Sequence, residues 1–226
     1  DGVMRSYEES KVRLKTDHAN ILLVHDVCAF SQGSQEASDA KVRELFDEGG
    51  YRALRELRDS GEISAIGAGV NEWQVCETLL GLGDFDCFLL AGRYTLLEQE
   101  ALDSFLPLCE RRDVGIILGG PYNSGVLATG AIDGARYNYA PAPVAVLERV
   151  RKIEAVCGAH GVPLIAAALQ FVFGHPCVKT VIPGAVSRAE LLSNAKLLEV
   201  EIPRALWTDL KSEGLIRPDA PIPEET

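Results

Sequence analysis

The chain has 226 residues, 47% of them hydrophobic and 24% charged, with a formal net charge of −11; length and composition suit one soluble globular domain. The acidic balance argues against a nucleic-acid partner, which needs a clustered basic face, and no apolar run reaches the roughly 18 residues of a membrane span, so no membrane partner is expected. Cys28, Cys76, Cys87, Cys109, Cys157 and Cys177 form no C-x-x-C pair and mostly sit in apolar stretches, so buried free thiols in a reducing, cytoplasmic compartment are expected rather than disulfides or a zinc site.

Two kinds of segment alternate along the chain. Ile21–Val24 reads as a strand, followed by a long polar insertion at 26–49. Tyr51–Arg58 has apolar residues at i, i+3 and i+6 and stops at Gly61, a helix. Ile63–Ile66 is the next strand, then a helical pattern from Asn71 through Trp73, Val75, Leu79 and Leu80. Cys87–Leu90 is a strand, Leu97–Arg112 a helix, and Val114–Leu118 a strand leading into a loop at 119–143 rich in Gly, Pro, Asn and Tyr. Val144–His160, Val178–Ile182 and Ala189–Leu198 repeat the helix, strand, helix order. Strands apolar on both faces are the mark of parallel sheet. Strict alternation with helices means right-handed βαβ units and an α/β architecture. The two long polar stretches both follow the carboxyl end of a strand, where such folds place their chemistry.

Four segments carry candidate chemistry. In Leu22-Leu23-Val24-His25-Asp26 a strand runs straight into an imidazole, which burial would keep neutral and able to donate to a substrate oxygen; the alternative is a partly buried histidine bonded to backbone. After the next strand, Ile66-Gly67-Ala68-Gly69-Val70-Asn71 offers glycines that let backbone approach a flat ligand and an amide that can pair with another amide, while Asn71 serves equally as a helix N-cap. Gly119-Gly120-Pro121-Tyr122-Asn123-Ser124-Gly125 can present backbone N–H groups to a pyrophosphate. In Ile182-Pro183-Gly184 through Asn194 a helix starts at once after a strand, with Ser187 and Glu190 in capping-box spacing and an anion-friendly N-terminus. His18 and His160 sit in polar turns and His175 at a helix terminus. No two histidines have metal-ligand spacing, so no metal is expected.

The order and spacing of these segments resemble the aldo-keto reductase family. Asn-Glu-Trp, Ala91 to Leu97 and Gly-Gly-Pro-Tyr-Asn-Ser-Gly are similar to its branch of sugar 1-dehydrogenases (D-threo-aldose, L-fucose and L-galactose dehydrogenases, with pyridoxal dehydrogenase a near relative). The resemblance implies a (β/α)8 TIM barrel that binds its nicotinamide cofactor without a G-x-G-x-x-G turn. This chain would supply about strands 4–8 with their helices, as a single domain over 1–226, incomplete at its N-terminus. It implies an oxidoreductase moving a hydride between NAD or NADP and a sugar lactol or aldehyde, a small-molecule partner. His25 matches the catalytic histidine. The family's Asp, Tyr and Lys fall before the first residue, and Tyr7 and Lys11, in a helix ahead of the His25 strand, do not match them.

Cofactor contacts are implied for Asn71, Gly120, Pro121, Tyr122, Ser124, Ile182, Gly184, Arg188 and Asn194. Ala91 stands where many relatives have a carboxamide-holding Gln, and Gly119 where they have a stacking aromatic. Glu190 near a 2′-phosphate, with Arg188 the nearby cation, favours NAD over NADP. The alternative is a binding or regulatory protein that keeps the barrel without its chemistry; a half-barrel completed by oligomerisation is a third.

Overall fold

The structure, a computed structural model, describes residues 2–224. Along the chain, α1 (Gly2–Leu14) and β1 (Ile21–His25) are followed by α2 (Ala29–Gln32), α3 (Gln35–Asp47) and α4 (Gly50–Asp59). Next come β2 (Ala65–Val70), α5 (Trp73–Leu82), β3 (Cys87–Ala91), α6 (Phe105–Arg112) and β4 (Gly115–Gly119). Beyond them lie α7 (Val126–Thr129), the strand pair β5 (Arg136–Tyr137) and β6 (Ala140–Pro141), α8 (Val144–Ala159), α9 (Leu164–Phe171), β7 (Val178–Ile182), α10 (Arg188–Leu197) and α11 (Arg204–Ser212). The chain divides into two compact units, one running through residue 90 and including 108–116, the other comprising 91–107 and 117 onward.

In the first unit β1, β2 and β3 are parallel, with Ile21 opposite Ala65, His25 opposite Gly69 and Gly67 opposite Cys87. β2 is buried along almost its whole length, but it begins two residues later than the strand expected at Ile63–Ile66 and runs on through Gly67 and Gly69 to Val70. A Cβ on Gly67 would lie 2.1 Å from the Cys87 carbonyl oxygen and 2.8 Å from Leu23 Cδ2. Gly67 is therefore fixed by close strand packing and not by a ligand, which corrects one sequence expectation. A second correction concerns β1, which is exposed at both ends and only half-buried between. It has β2 beside it and no second strand neighbour among the described residues.

The helix predicted at Tyr51–Arg58 is α4, with Ala53, Leu54 and Leu57 facing the core. Arg58 on its outer edge is 14% exposed and donates through Nη1 to Asp86 Oδ2 at 2.7 Å. The same oxygen accepts from the Ile66 N–H at 2.8 Å, so one carboxylate closes both the ladder and the helix against it. The stretch 26–49 is not a loop. Ser34 caps α3 by accepting from Ala37 N–H, and Ser38, Val42 and Leu45 form its buried stripe.

In the second unit the end of β4 lies beside β7, and Gly120 N–H donates to the Ile182 carbonyl at 3.2 Å. β7 is also less buried than expected, with Lys179, Thr180 and Ile182 exposed. Phe171 and Trp207 stack 6.0 Å apart over a core that includes Val150, Ile153 and Leu210. The continuous helix expected from Leu97 does not form. Thr95 Oγ1 accepts from the Leu97 and Glu98 N–H groups at 3.1 Å each and turns the backbone there, so α6 starts only at Phe105. The stretch 119–143 holds a 3-10 turn (Asn123–Gly125), α7 and the β5–β6 hairpin. All six cysteines are buried free thiols. No single helix among the described residues is long and apolar enough to cross a membrane.

Candidate functional site

The first unit carries His25 and Asn71 at the carboxyl ends of neighbouring parallel strands. His25 is the last residue of β1, and its side chain is 84% exposed, not buried as its place at the end of an apolar strand led one to expect. Its Nε2 lies 3.4 Å from Asp26 Oδ2, a carboxylate partner and not the backbone partner of the alternative reading. Asp26 adopts a left-handed φ of 53°. Its N–H is held by the Gly69 carbonyl at 2.9 Å and its own carbonyl accepts from Gln32 Nε2 at 2.7 Å. A cleft of ≈ 390 Å³ opens beside His25, lined also by Val27, Gln32, Lys41 and Glu48. Asn71 follows β2 directly and is half-buried. It does not occupy the cap position of α5; that residue is Glu72, whose side chain makes no cap bond and instead accepts from the Phe30 N–H at 2.7 Å. Asp26 was missed as a positioning group, although its place next to His25 was legible. Tyr7 and Lys11 serve packing: Tyr7 is buried and donates to Glu62, and the Lys11 ammonium lies 4.5 Å from the Tyr7 ring centre.

The second unit gathers five of the predicted residues into one bonded group. Tyr122 Oη donates to Asn194 Oδ1 at 2.8 Å in a buried position, and Asn194 Nδ2 donates to the Gly184 carbonyl at 3.3 Å. With the Gly120–Ile182 bond, the Gly-Gly-Pro loop, the Pro-Gly turn and α10 are tied together. Burial pushes the Tyr122 phenol up to about 12, so it stays a donor. Pro121 is buried. The loop backbone is left-handed at Gly120 (φ 60°), Asn123 (46°), Ser124 (60°) and Gly125 (103°), a concentration of strain of the kind found at ligand sites. Around Gly120 a Cβ would meet nothing closer than the Gly92 nitrogen at 3.8 Å, and around Gly184 it would meet nothing within 4 Å.

At the start of α10, Ser187 Oγ accepts from the Glu190 N–H at 3.2 Å and Glu190 Oε2 accepts from the Val186 N–H at 2.9 Å. The predicted capping box forms, with its return bond one residue earlier than the standard pattern. Glu190 thus sets a negative charge at the helix N-terminus. Arg188 is exposed and makes no ion pair among the described residues. Ser124 is exposed and its Oγ accepts from the Tyr139 N–H at 3.0 Å.

Sequence reasoning missed Asn123 and Thr95. Asn123 is buried, accepts from Thr95 Oγ1 at 2.5 Å and donates to the Gly92 carbonyl at 3.1 Å, which locks the loop from behind. It also missed a half-buried cluster in which Arg93 Nη1 donates to Glu98 at 3.3 Å and to Asn138 at 2.9 Å, and Tyr137 donates to Glu98. Burial raises the Glu98 carboxyl above its ordinary range.

Residues 1–213 match the family described as "Aldo/keto reductase family". The chain belongs to the aldo/keto reductase family. Within the family it is 39% identical over 216 residues to a protein named pyridoxal 4-dehydrogenase from Microbacterium luteolum, covering 96% of this chain and 63% of that protein. It is 36% identical over 217 residues to a D-threo-aldose 1-dehydrogenase from a Pseudomonas species, covering 95% and 62%. The chain therefore spans less than two thirds of the length of these curated relatives. Among solved structures, an aldo-keto reductase from Bacillus halodurans in its holo form superposes with a TM-score of 0.69 at 19% identity, over 97% of this chain and 65% of that one; that likeness shows the fold.

Proposed function

We propose that this chain is part of an oxidoreductase that moves a hydride between a nicotinamide dinucleotide and the lactol or aldehyde carbon of a small substrate, and that its five main strands are the last five of a (β/α)8 barrel. The observation that carries the reading is the bonded group of Gly120, Tyr122, Ile182, Gly184 and Asn194. It ties together two turns whose Gly120 and Gly184 have open space where a side chain would stand, as a site for the phosphates and ribose of a dinucleotide requires. The names of the two curated relatives support a sugar or pyridoxal-like aldehyde as substrate.

The residues present fit the cofactor. In the second unit, Ser124 and Gly184 would face its phosphates with a hydroxyl and a backbone N–H group, Gly120 would leave room for them, and Arg188 would neutralise their charge; Asn71, in the first unit, has an amide able to pair with a carboxamide. The nicotinamide ring, when bound, supplies the hydride acceptor or donor. His25, oriented by Asp26, would donate to the reacting oxygen and fix its position. Glu190 at the start of α10 disfavours a 2′-phosphate by like-charge repulsion and supports NAD over NADP.

Oxidation of sugars and of pyridoxal by the full-length protein of which this chain is part, followed by nicotinamide absorbance with NAD and with NADP in parallel, tests this reading. Turnover with NAD in preference to NADP is expected. Cofactor binding with no turnover on any aldehyde or lactol would favour the binding-protein alternative, and neither binding nor turnover would refute both.

A further inference from the structure

The Gly120–Gly125 loop holds two consecutive non-glycine residues in the left-handed region, Asn123 at φ 46° and Ser124 at 60°. Asn enters that region with little penalty, whereas Ser does so rarely. Joining β4 to α7 does not by itself call for this shape, and such outliers gather at ligand sites. The shape is held from one place, Gly92, the residue after β3. Gly92 N–H donates to the Gly119 carbonyl at 2.8 Å, and Asn123 N–H to the Gly120 carbonyl at 3.1 Å. Asn123 Nδ2 donates to the Gly92 carbonyl at 3.1 Å. Both backbone groups of Gly92 are therefore committed to this loop.

Thr95 dictates which way the Asn123 amide faces. Both side chains are buried, and the Thr95 hydroxyl accepts from the Leu97 and Glu98 N–H groups at 3.1 Å each. A hydroxyl has two acceptor sites and one proton, so with both sites filled only the proton remains. That proton goes to Asn123 Oδ1 at 2.5 Å. The NH2 group of Asn123 is then the one that meets the Gly92 carbonyl. A flipped amide would set carbonyl against carbonyl and an NH2 group against a hydroxyl with no free lone pair. The series of bonds from residues 97 and 98 through Thr95 and Asn123 to Gly92 has a single arrangement.

We propose that Asn123, oriented by Thr95, is a positioning residue for the dinucleotide. It fixes the loop in the left-handed shape that leaves Ser124 exposed, so that the loop meets the cofactor's phosphates without the cost of being ordered at that moment. Neither Asn123 nor Thr95 touches the ligand. The proposal rests on the dinucleotide reading above and adds to it the pair that holds the loop ready. Loss of one such hydrogen bond is worth up to about tenfold in binding.

The test uses the full-length protein of which this chain is part and three variants. Asn123→Gly keeps the left-handed backbone and removes the amide. Asn123→Asp keeps the acceptor for Thr95 and, as a carboxylate, cannot donate to Gly92. Thr95→Ser keeps the hydroxyl. NADH and ADP-ribose, which share the pyrophosphate, are titrated against each by calorimetry at pH 8, well below the Tm measured for that variant. Both Asn123 variants are expected to weaken both ligands by about tenfold, and Thr95→Ser to bind them within about threefold of the original protein. A residue that served only the fold would lower Tm and leave the affinity of the folded protein unchanged. ADP-ribose binding weakened less than about threefold by either folded Asn123 variant would therefore overturn the proposal and leave the dinucleotide reading intact. Loss of folding in both Asn123 variants would overturn it too, by showing that the pair supports the fold and not the loop alone, as would a tenfold loss in Thr95→Ser. Failure of the original protein to bind either ligand refutes the dinucleotide reading, and this proposal with it.

Discussion

Tyr122 and Asn194, 72 positions apart in sequence, share a buried hydrogen bond of 2.8 Å that fastens the Gly-Gly-Pro loop to α10. Removing the hydroxyl leaves Asn194 Oδ1 without its donor in a buried place. Tyr122→Phe is therefore expected to cost about 1–2 kcal/mol in urea unfolding and to weaken NADH binding several-fold, because the backbone at Gly184 is held through Asn194.

The same phenol gives a pH dependence. Its folded value is raised to about 12 from an ordinary 10, so the folded chain keeps a proton that the unfolded chain releases between those values. Stability is fully present below pH 10 and falls as pH rises toward 12. Tyr94 and Tyr137, also raised by burial, share in the loss. Thermal melts from pH 9 to 11.5, the upper limit being about half a unit below the Tyr122 value, should show the decline, with a shallower slope in Tyr122→Phe.

Gly67 and Gly69 lie two residues apart in β2 and should respond very differently to a methyl group. At Gly67 the Cβ would lie 2.1 Å from a backbone carbonyl, whereas at Gly69 its nearest neighbours are side-chain atoms at 3.9 Å. Gly67→Ala is expected to destabilise by about 3 kcal/mol or more, or to prevent folding, and Gly69→Ala to stay within about 1 kcal/mol. Denaturant titration of the pair checks this.

Asp86 serves two donors, the Ile66 N–H and the Arg58 guanidinium. Asp86→Ala leaves both without that acceptor and should cost about 2–4 kcal/mol. Asp86→Asn keeps one acceptor oxygen and should cost less than half as much. Circular-dichroism melts of the two variants distinguish them.

What was legible in the sequence follows from where the physics is local. β3 and β4 were readable because burial on both faces leaves continuous apolar runs, β2 only in its first two residues because its glycines hid the rest, and α4 because Leu54 and Leu57 repeat at helical spacing among charges. α3 was missed because its stripe of Ser38, Val42 and Leu45 contains only two apolar residues and was read as polar insertion. α9 has apolar residues on every side and therefore no periodicity to read. Of the site, Gly120, Tyr122, Ile182, Gly184 and Asn194 were named from their resemblance to a family pattern. The bonds that join them run between residues tens of positions apart, which no local rule reveals. Asn123 with Thr95, and Arg93 with Asn138, were invisible for the same reason. The exposure of His25 also lay beyond reach, because it depends on which strands flank β1.

The NAD preference predicts a sign. Glu190→Gln keeps an acceptor for the Val186 N–H but removes the charge, so NADPH binding should tighten by about three- to tenfold while NADH binding changes little. Parallel titrations of both cofactors measure it.

The most direct test of the central claim is a titration of the isotopically labelled chain with NADH, followed through its backbone amide resonances. The account predicts saturable shifts concentrated at Gly120, Ser124, Gly184 and Arg188, with smaller ones at Asn194. An absence of shifts in the folded chain, or shifts confined to residues outside the 120–125 and 182–194 segments, would contradict it.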